Sequence, residues 1–500
     1  ADSVHWQKVN HHAPRSFVAL MHHNRQRLLD VYRRYRLDGD EFGVLAAMTL
    51  GYRDELSEAV KSSYRNSGAM HVLAVSGLHV GIIFLILQLL LYPLRYVRHG
   101  RWLLYVVQMA GLWAYAVLVG MPASALRAAL MLTLWATARV IGRESHPINN
   151  IAAAAFLLLL FRPLMLFDVG FQLSFAAASS IVLFYPLLSR PLRAVWQPAR
   201  WVLGLVIVSV AAQLGVMPLT TYYFHQASVY FAVSSLIVIP LAHVLLFGAL
   251  LLFVTSGVPA VATCVARVMN GVLNGMNSCI AAIDHWPHAV VPVWVDGWQV
   301  ALMLAFCAAL AWAVMERDYR RYLLPALLLV ALSIGTAVTA VQKTHYRRVV
   351  AYADRQTDVV QLASGPYQLV MTNDTIAASD VIHNASLHYG LAAPVFAPMD
   401  TLQLHVTQFE GASYVLLSGL QLSRRVLATP VAVDYLIVGR VGRARPKDIM
   451  QSFQPGHVIL LSSLARWKAD SLRTMCERGH IMCHDTRVQG AYVQEEKQRQ

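Results

Sequence analysis

The stretch HVLAVSGLHVGII (71–83) sets two histidines, a serine and two glycines inside what otherwise reads as a membrane-spanning run. Polar and ionisable groups at that depth face a bundle interior or a water-filled path rather than lipid. The stretch therefore points to a polytopic membrane protein with a polar interior. Composition agrees. Of 500 residues, 57% are hydrophobic and 14% charged, whereas a soluble domain carries about a quarter charged residues. Apolar runs recur from position 70 to position 341, near 70–92, 102–119, 122–141, 148–161, 169–189, 201–219, 228–253, 260–283, 299–315 and 322–341. About ten transmembrane helices are expected.

Basic residues gather in the short loops, at Arg95, Arg98 and Arg101, Arg139 and Arg143, Arg190, Arg193 and Arg200, and Arg317, Arg320 and Arg321. With ten spans all of these loops fall on one side, which the positive-inside rule makes the cytoplasm. Both termini then lie outside. Part of the formal charge of +14 has this cause, and a polyanionic partner would leave the same mark. Residue 1 is Ala, and no signal-peptide pattern precedes the first span, so processing or an upstream portion is expected.

Three parts follow. Residues 1–68 are polar and basic, and FVALMHHNRQRLLDVYRRYR (17–36) has the apolar spacing of an amphipathic helix, either on a membrane surface or on a soluble face. Residues 69–341 hold the spans. Residues 342–500 read as a soluble α/β domain, with short β-rich runs such as SYVLLSG, VDYLIVGR and GHVILLSS and a helix over 465–479. Cys476 and Cys483 are candidates for a bridge in an oxidising compartment.

Within the spans, His71 and His79 are eight residues apart, which on one helix places both rings on roughly one face. Ser76 and Gly77 between them mark either a helix break satisfied by His79 or a polar element of a transport path; a Ser76/His79 hydrolase pair lacks a nearby acid. In GMPASALRAALM (120–131), Pro122 suits a first helical turn, Ser124 suits a cap, and Arg127 either snorkels or faces inward as a fixed positive charge. DVGFQLSFAA (168–177) brings Asp168 as a cap beside Gly170, Phe171 and Gln172. AAQLGVMPLTTYYFHQAS (211–228) adds Gln213, expected in an interhelical hydrogen bond, a gap between spans at Pro218, and His225. Arg267, Asn270, Asn274 and Asn277 form one helical stripe, which lines an aqueous channel or lies at the interface.

These four motifs, in this order across roughly 70–255, resemble the competence domain of the ComEC family. The resemblance implies an inner-membrane channel that imports single-stranded DNA during natural transformation. His71, Ser76, Gly77, His79, Pro122, Arg127, Gly170, Phe171 and Gln172 match its signature positions. It also implies a lipid bilayer around the chain, an extracytoplasmic DNA receptor, a cytoplasmic helicase or motor, homo-oligomerisation as an option, and no cofactor. Transport of another anion on the same scaffold is the alternative.

Many members end in a metallo-β-lactamase-like domain, and residues 350–490 keep its outline. That fold needs a clustered histidine–aspartate ligand set to hold metal and activate water. The histidines here, at 345, 383, 388, 405, 457, 480 and 484, form no such cluster, and Arg440 and Val441 stand where a histidine pair is expected. The domain is expected not to cleave DNA.

Overall fold

The computed structural model describes residues 17–96, 100–316, 319–343, 346–398, 406–409, 411–419, 426–427 and 429–497. Arg98, Arg317, His345 and His405 lie outside the described residues. The chain divides into two compact units, Ala1–Leu329 and Val330–Gln500.

The first unit is helical. It opens with α1 (Phe17–Arg34), α2 (Gly39–Leu50) and α3 (Glu58–Asn66). These continue with α4 (Gly77–Leu90), α5 (Gly100–Leu118), α6 (Ala123–Val140), α7 (Pro147–Phe161) and α8 (Val169–Leu188). The longer α9 (Gln197–Phe224), α10 (Phe231–Thr255) and α11 (Pro259–Asp284) come next, then α12 (Gly297–Glu316) and α13 (Leu323–Lys343), within which the second unit begins. A helix thus stands at each of the ten apolar runs. Among the described residues, six are long and apolar enough to cross a membrane: Gly100–Leu118, Val169–Leu188, Gln197–Phe224, Phe231–Thr255, Gly297–Glu316 and Arg320–Lys343. The helices α4 and α7 are apolar but shorter. Large apolar side chains such as Leu89, Phe161 and Leu327 stand exposed, as expected where lipid is the solvent.

The first residues are less separate than their charge suggests. Leu29 and Tyr32 of α1 and Phe42, Leu45 and Met48 of α2 share one apolar core with Val238 and Leu245 of α10 and Leu273 and Met276 of α11. The expected division at residue 68 therefore cuts through a shared core. The apolar segment EFGVLAAMTL (41–50), read only as part of a polar region, is the buried centre of that core.

Two short strands, β1 (Gln226–Ser228) and β2 (Val290–Pro292), pair antiparallel between helices. The helix α9 runs unbroken through Pro218, so the gap expected there does not exist. Proline lacks the amide that would bond the carbonyl four residues back. That carbonyl, of Leu214, accepts instead from the Cys307 thiol of α12 at 3.4 Å.

The second unit has four layers. One sheet has the order β12-β3-β4-β5-β6, with β3 (Tyr346–Ala351), β4 (Val359–Ser364), β5 (Tyr367–Thr372), β6 (Val395–Pro398) and β12 (Tyr492–Lys497). The other runs β11-β10-β9-β8-β7, with β7 (Val406–Phe409), β8 (Ala412–Gly419), β9 (Val431–Val441), β10 (Phe453–Leu460) and β11 (Met482–Asp485). The sheets close on a core of Val349, Leu362, Leu416, Ile437 and Ile459. The helix α14 (Thr375–Tyr389) covers the outer face of the first sheet through Ala378 and Ile382. Outside the second sheet, α15 (Pro446–Ser452) and α16 (Arg466–Arg478) bury Ile449, Ala469 and Leu472.

Candidate functional site

Ser76 is the N-cap of α4, and His79 lies in its first turn. The first amides of a helix have no intrahelical acceptor. Here the His79 Nδ1 accepts the Ser76 backbone N–H at 3.1 Å, with the Ser76 hydroxyl 3.4 Å from the same nitrogen. An accepting Nδ1 leaves the ring proton on Nε2. That Nε2 is buried and has no partner among the described residues, in a side chain 1% exposed. The helix break satisfied by His79 is thus what forms. His71 does not share the helical face: it sits in a 3-10 turn at Met70–Val72, exposed, its Nδ1 donating to the Gly68 carbonyl at 3.3 Å. The eight-residue spacing misleads because α4 starts only after the Ser76 cap.

The second motif packs on the first. Pro122 is the N-cap of α6, one place before its first turn. Ser124 does not cap; its hydroxyl donates to the Val75 carbonyl at 2.6 Å, tying α6 to the segment before α4. Arg127 faces inward and is 9% exposed. Its guanidinium lies against Gly77, where a Cβ would stand 3.0 Å from Nη2. Nη1 donates to the Ser174 carbonyl, and the group sits 5.8 Å from the Phe175 ring centre. Among the described residues no carboxylate pairs with it, and its Nε has no partner.

The third motif is built by a cap. Asp168 accepts from the Phe171 amide at 2.8 Å, and Gly170 gives that carboxylate room. Phe171 is buried, with its ring centre 4.4 Å from that of Phe175. Gln172 joins α8 to the end of α9: Tyr223 donates to its Oε1 at 2.7 Å, while its Nε2 donates to the Leu166 carbonyl at 2.9 Å. The interhelical hydrogen bond expected of Gln213 is not formed among the described residues. The α8–α9 seam is closed instead by the Ser180 hydroxyl on the Ala211 carbonyl at 2.6 Å and by Gly215, against which Ser180 and Ala176 pack too closely for a Cβ. His225 ends α9 with φ 52° and stacks on Trp294 at 3.8 Å. Three motifs therefore meet at Arg127, and the fourth joins through Gln172.

The polar stripe of α11 divides. Its apolar face, Ala266, Met269, Leu273, Met276 and Ile280, is buried in the shared core. Arg267 and Asn274 are exposed and Asn270 half-buried. Asn277 belongs to another seam, where Tyr64 of α3 donates to its Oδ1 at 2.8 Å. Asp284 extends that seam, accepting from Ser63 at 2.8 Å and Asn66 at 2.9 Å.

In the second unit Asp358 is fully buried before β4. Its carboxylate accepts from the hydroxyls of Ser418 and Ser463 and from the Arg440 backbone N–H at 2.9 Å, and a Cβ at Gly439 would overlap it. Nothing in the sequence singled it out. The residues do not fit the metal centre of a metallo-β-lactamase-like domain: among the described residues no three His, Cys, Asp or Glu side chains converge, and this carboxylate is taken up by three protein donors.

Comparison with known proteins bears on the same segments. The competence protein family matches residues 48–319, more than half of the chain, and the ComEC C-terminal domain matches residues 349–496. The chain is similar to ComE operon protein 3 of Bacillus subtilis, 34% identical over 41% of this chain and 25% of that protein. It is also similar to recombination protein 2 of Haemophilus influenzae, 26% identical over 43% of this chain and 29% of that one. Competence protein ComA of Neisseria gonorrhoeae is 30% identical over 32% of this chain and 24% of its own. The chain thus spans roughly a quarter of the length of the curated relatives it matches. No solved structure matches. From the family match over the helical unit, together with that over the strand-rich one, this chain belongs to the ComEC family of competence proteins.

Proposed function

We propose that the chain is the transport part of an inner-membrane channel that imports single-stranded DNA during natural transformation. The observation that carries this reading is Arg127. A guanidinium buried among apolar helices without a carboxylate is costly, and an anion that arrives transiently is the natural compensation. Phosphate matches its planar, bidentate donor geometry. One fixed cation lets a polyanion pass, whereas a row of them would hold it.

The same reading takes about ten helices across the bilayer, with both termini and the domain from residue 342 outside. It gives that outer domain the layering of a metallo-β-lactamase-like fold without nuclease activity. A DNA receptor outside, a helicase or motor inside and self-association are its expected partners. The hydrolase alternative loses ground, since the His79 Nδ1 that faces Ser76 is taken up by a backbone N–H.

The test is uptake of labelled DNA into a nuclease-protected cytoplasmic pool in cells carrying Arg127→Ala. Loss of uptake at normal protein abundance supports the reading; unchanged uptake removes it. Transport of a small anion but not of DNA by purified protein in liposomes would favour the other scaffold use.

A further inference from the structure

In the second sheet β8, β9 and β10 are parallel, so all three end at one edge. The chain leaves β9 through Gly442–Arg445 into α15 and leaves β10 through Ser462–Ala465 into α16. Lys468, 6% exposed, fastens these two loops side by side: its ammonium donates to the carbonyls of Val441 at 2.9 Å and Gly442 at 2.6 Å. The edge so formed presents Arg440 at the end of β9, Arg443 and Arg445 from the first loop, Lys447 in the first turn of α15, and Arg466 and Trp467 at the start of α16, all exposed. Among the described residues none of the five cations is in a salt bridge. Asp358 accepts from the Arg440 backbone N–H, while the Arg440 guanidinium itself donates to the Arg355 carbonyl at 3.3 Å. Trp467 is 63% exposed, with the Lys468 ammonium 5.4 Å from its ring centre.

A lone exposed tryptophan is unremarkable. Flanked by uncompensated guanidinium groups it is the combination that single-stranded nucleic acid selects, cations tracking phosphates and an aromatic face taking a base. We propose that this strand-end edge is a docking face for single-stranded DNA, with Trp467 as the stacking platform and Arg443, Arg445 and Arg466 on the flanking phosphates. This rests on the reading that the chain handles DNA, and goes beyond it by giving the outer domain a binding role of its own.

The test measures binding of fluorescent oligothymidylate to the full chain in detergent by anisotropy, beside an abasic deoxyribose-phosphate oligomer of equal length. Trp467→Ala is expected to weaken oligothymidylate about tenfold and to leave the abasic oligomer unchanged, while Trp467→Phe restores most of the affinity. Arg443→Glu with Arg445→Glu is expected to weaken both oligomers and to flatten the salt dependence. All these side chains are exposed, so melting of the variants should match the parent. Equal binding of oligothymidylate by parent, Trp467→Ala and the double variant would overturn the docking face. So would Trp467→Ala weakening the abasic oligomer as much as oligothymidylate. The two proposals separate by readout: Arg127→Ala is expected to abolish uptake and to weaken both oligomers alike, whereas only the edge proposal makes Trp467→Ala discriminate oligothymidylate from the abasic oligomer. Binding lost in Arg127→Ala yet kept in both edge variants would overturn the docking face alone.

Discussion

Gly77 and Arg127, fifty residues apart in sequence, are in contact: the guanidinium lies against the first turn of α4, 3.0 Å from where a Cβ at position 77 would stand. A glycine at a helix start usually reflects backbone freedom. Here the missing Cβ makes room for a buried cation.

Gly77→Ala should therefore preserve the helix, since alanine is the better helix former, while displacing the guanidinium. DNA uptake is expected to fall several-fold with protein abundance unchanged, and Gly77→Val should fall further. Immunoblotting of membranes alongside the uptake measurement checks both parts.

Arg127→Lys keeps the charge and loses the planar fork. Uptake is expected to drop by about an order of magnitude, in line with roughly 1.5 kcal/mol for a charged hydrogen bond. Wild-type uptake with lysine would show that charge alone suffices.

The divided stripe of α11 predicts two different outcomes. Asn274→Leu, on the exposed face, should impair transport without loss of abundance. Asn277→Leu should lower thermal stability by about 1 kcal/mol, as should Tyr64→Phe, because both remove one interhelical hydrogen bond. The two together should cost little more than either alone.

Asp358→Ala would strand the Ser418 and Ser463 hydroxyls and the Arg440 amide in a buried place. A loss of about 3 kcal/mol or more is expected for the C-terminal unit, visible as rapid proteolysis of residues 346–497 while the helical unit stays intact.

Cys476 and Cys483 are free thiols that hydrogen-bond to each other, the Cys483 contact holding the Cys476 thiol below its ordinary value and Cys483 well above it. A mild oxidant should join them, and closing so short a loop is worth about 2.5 kcal/mol in the chain-entropy account. Mass spectrometry of alkylated, unreduced protein taken directly from cells would also report which compartment the domain faces: a bridge indicates the outside, free thiols the cytoplasm.

Much of this was legible in the residues. The runs YQLVMTND, SYVLLSG, VDYLIVGR and GHVILLSS are strands β5, β8, β9 and β10, and the helix expected over 465–479 is α16, ended at Gly479. Alternating or continuous apolar runs between turn residues carry that information locally. The contacts that build the site do not show in this way. Gly77 with Arg127, Ser124 with Val75 and Gln172 with Tyr223 join segments far apart in sequence, and no local period marks them. Pro218 misled because a proline inside a helix is tolerated where a neighbour takes up the freed carbonyl. The burial of α2 was hidden by the charges on either side of it.

The Cys307 thiol on the Leu214 carbonyl has a mechanical meaning. A thiol is a weak donor, so this link between α9 and α12 breaks at lower cost than an amide bond at the same level. Helices joined there can separate and re-seat without stranding a strong donor in hydrocarbon. The bundle thereby has a built-in slip point one residue before Gly215, where α8 packs closely on α9.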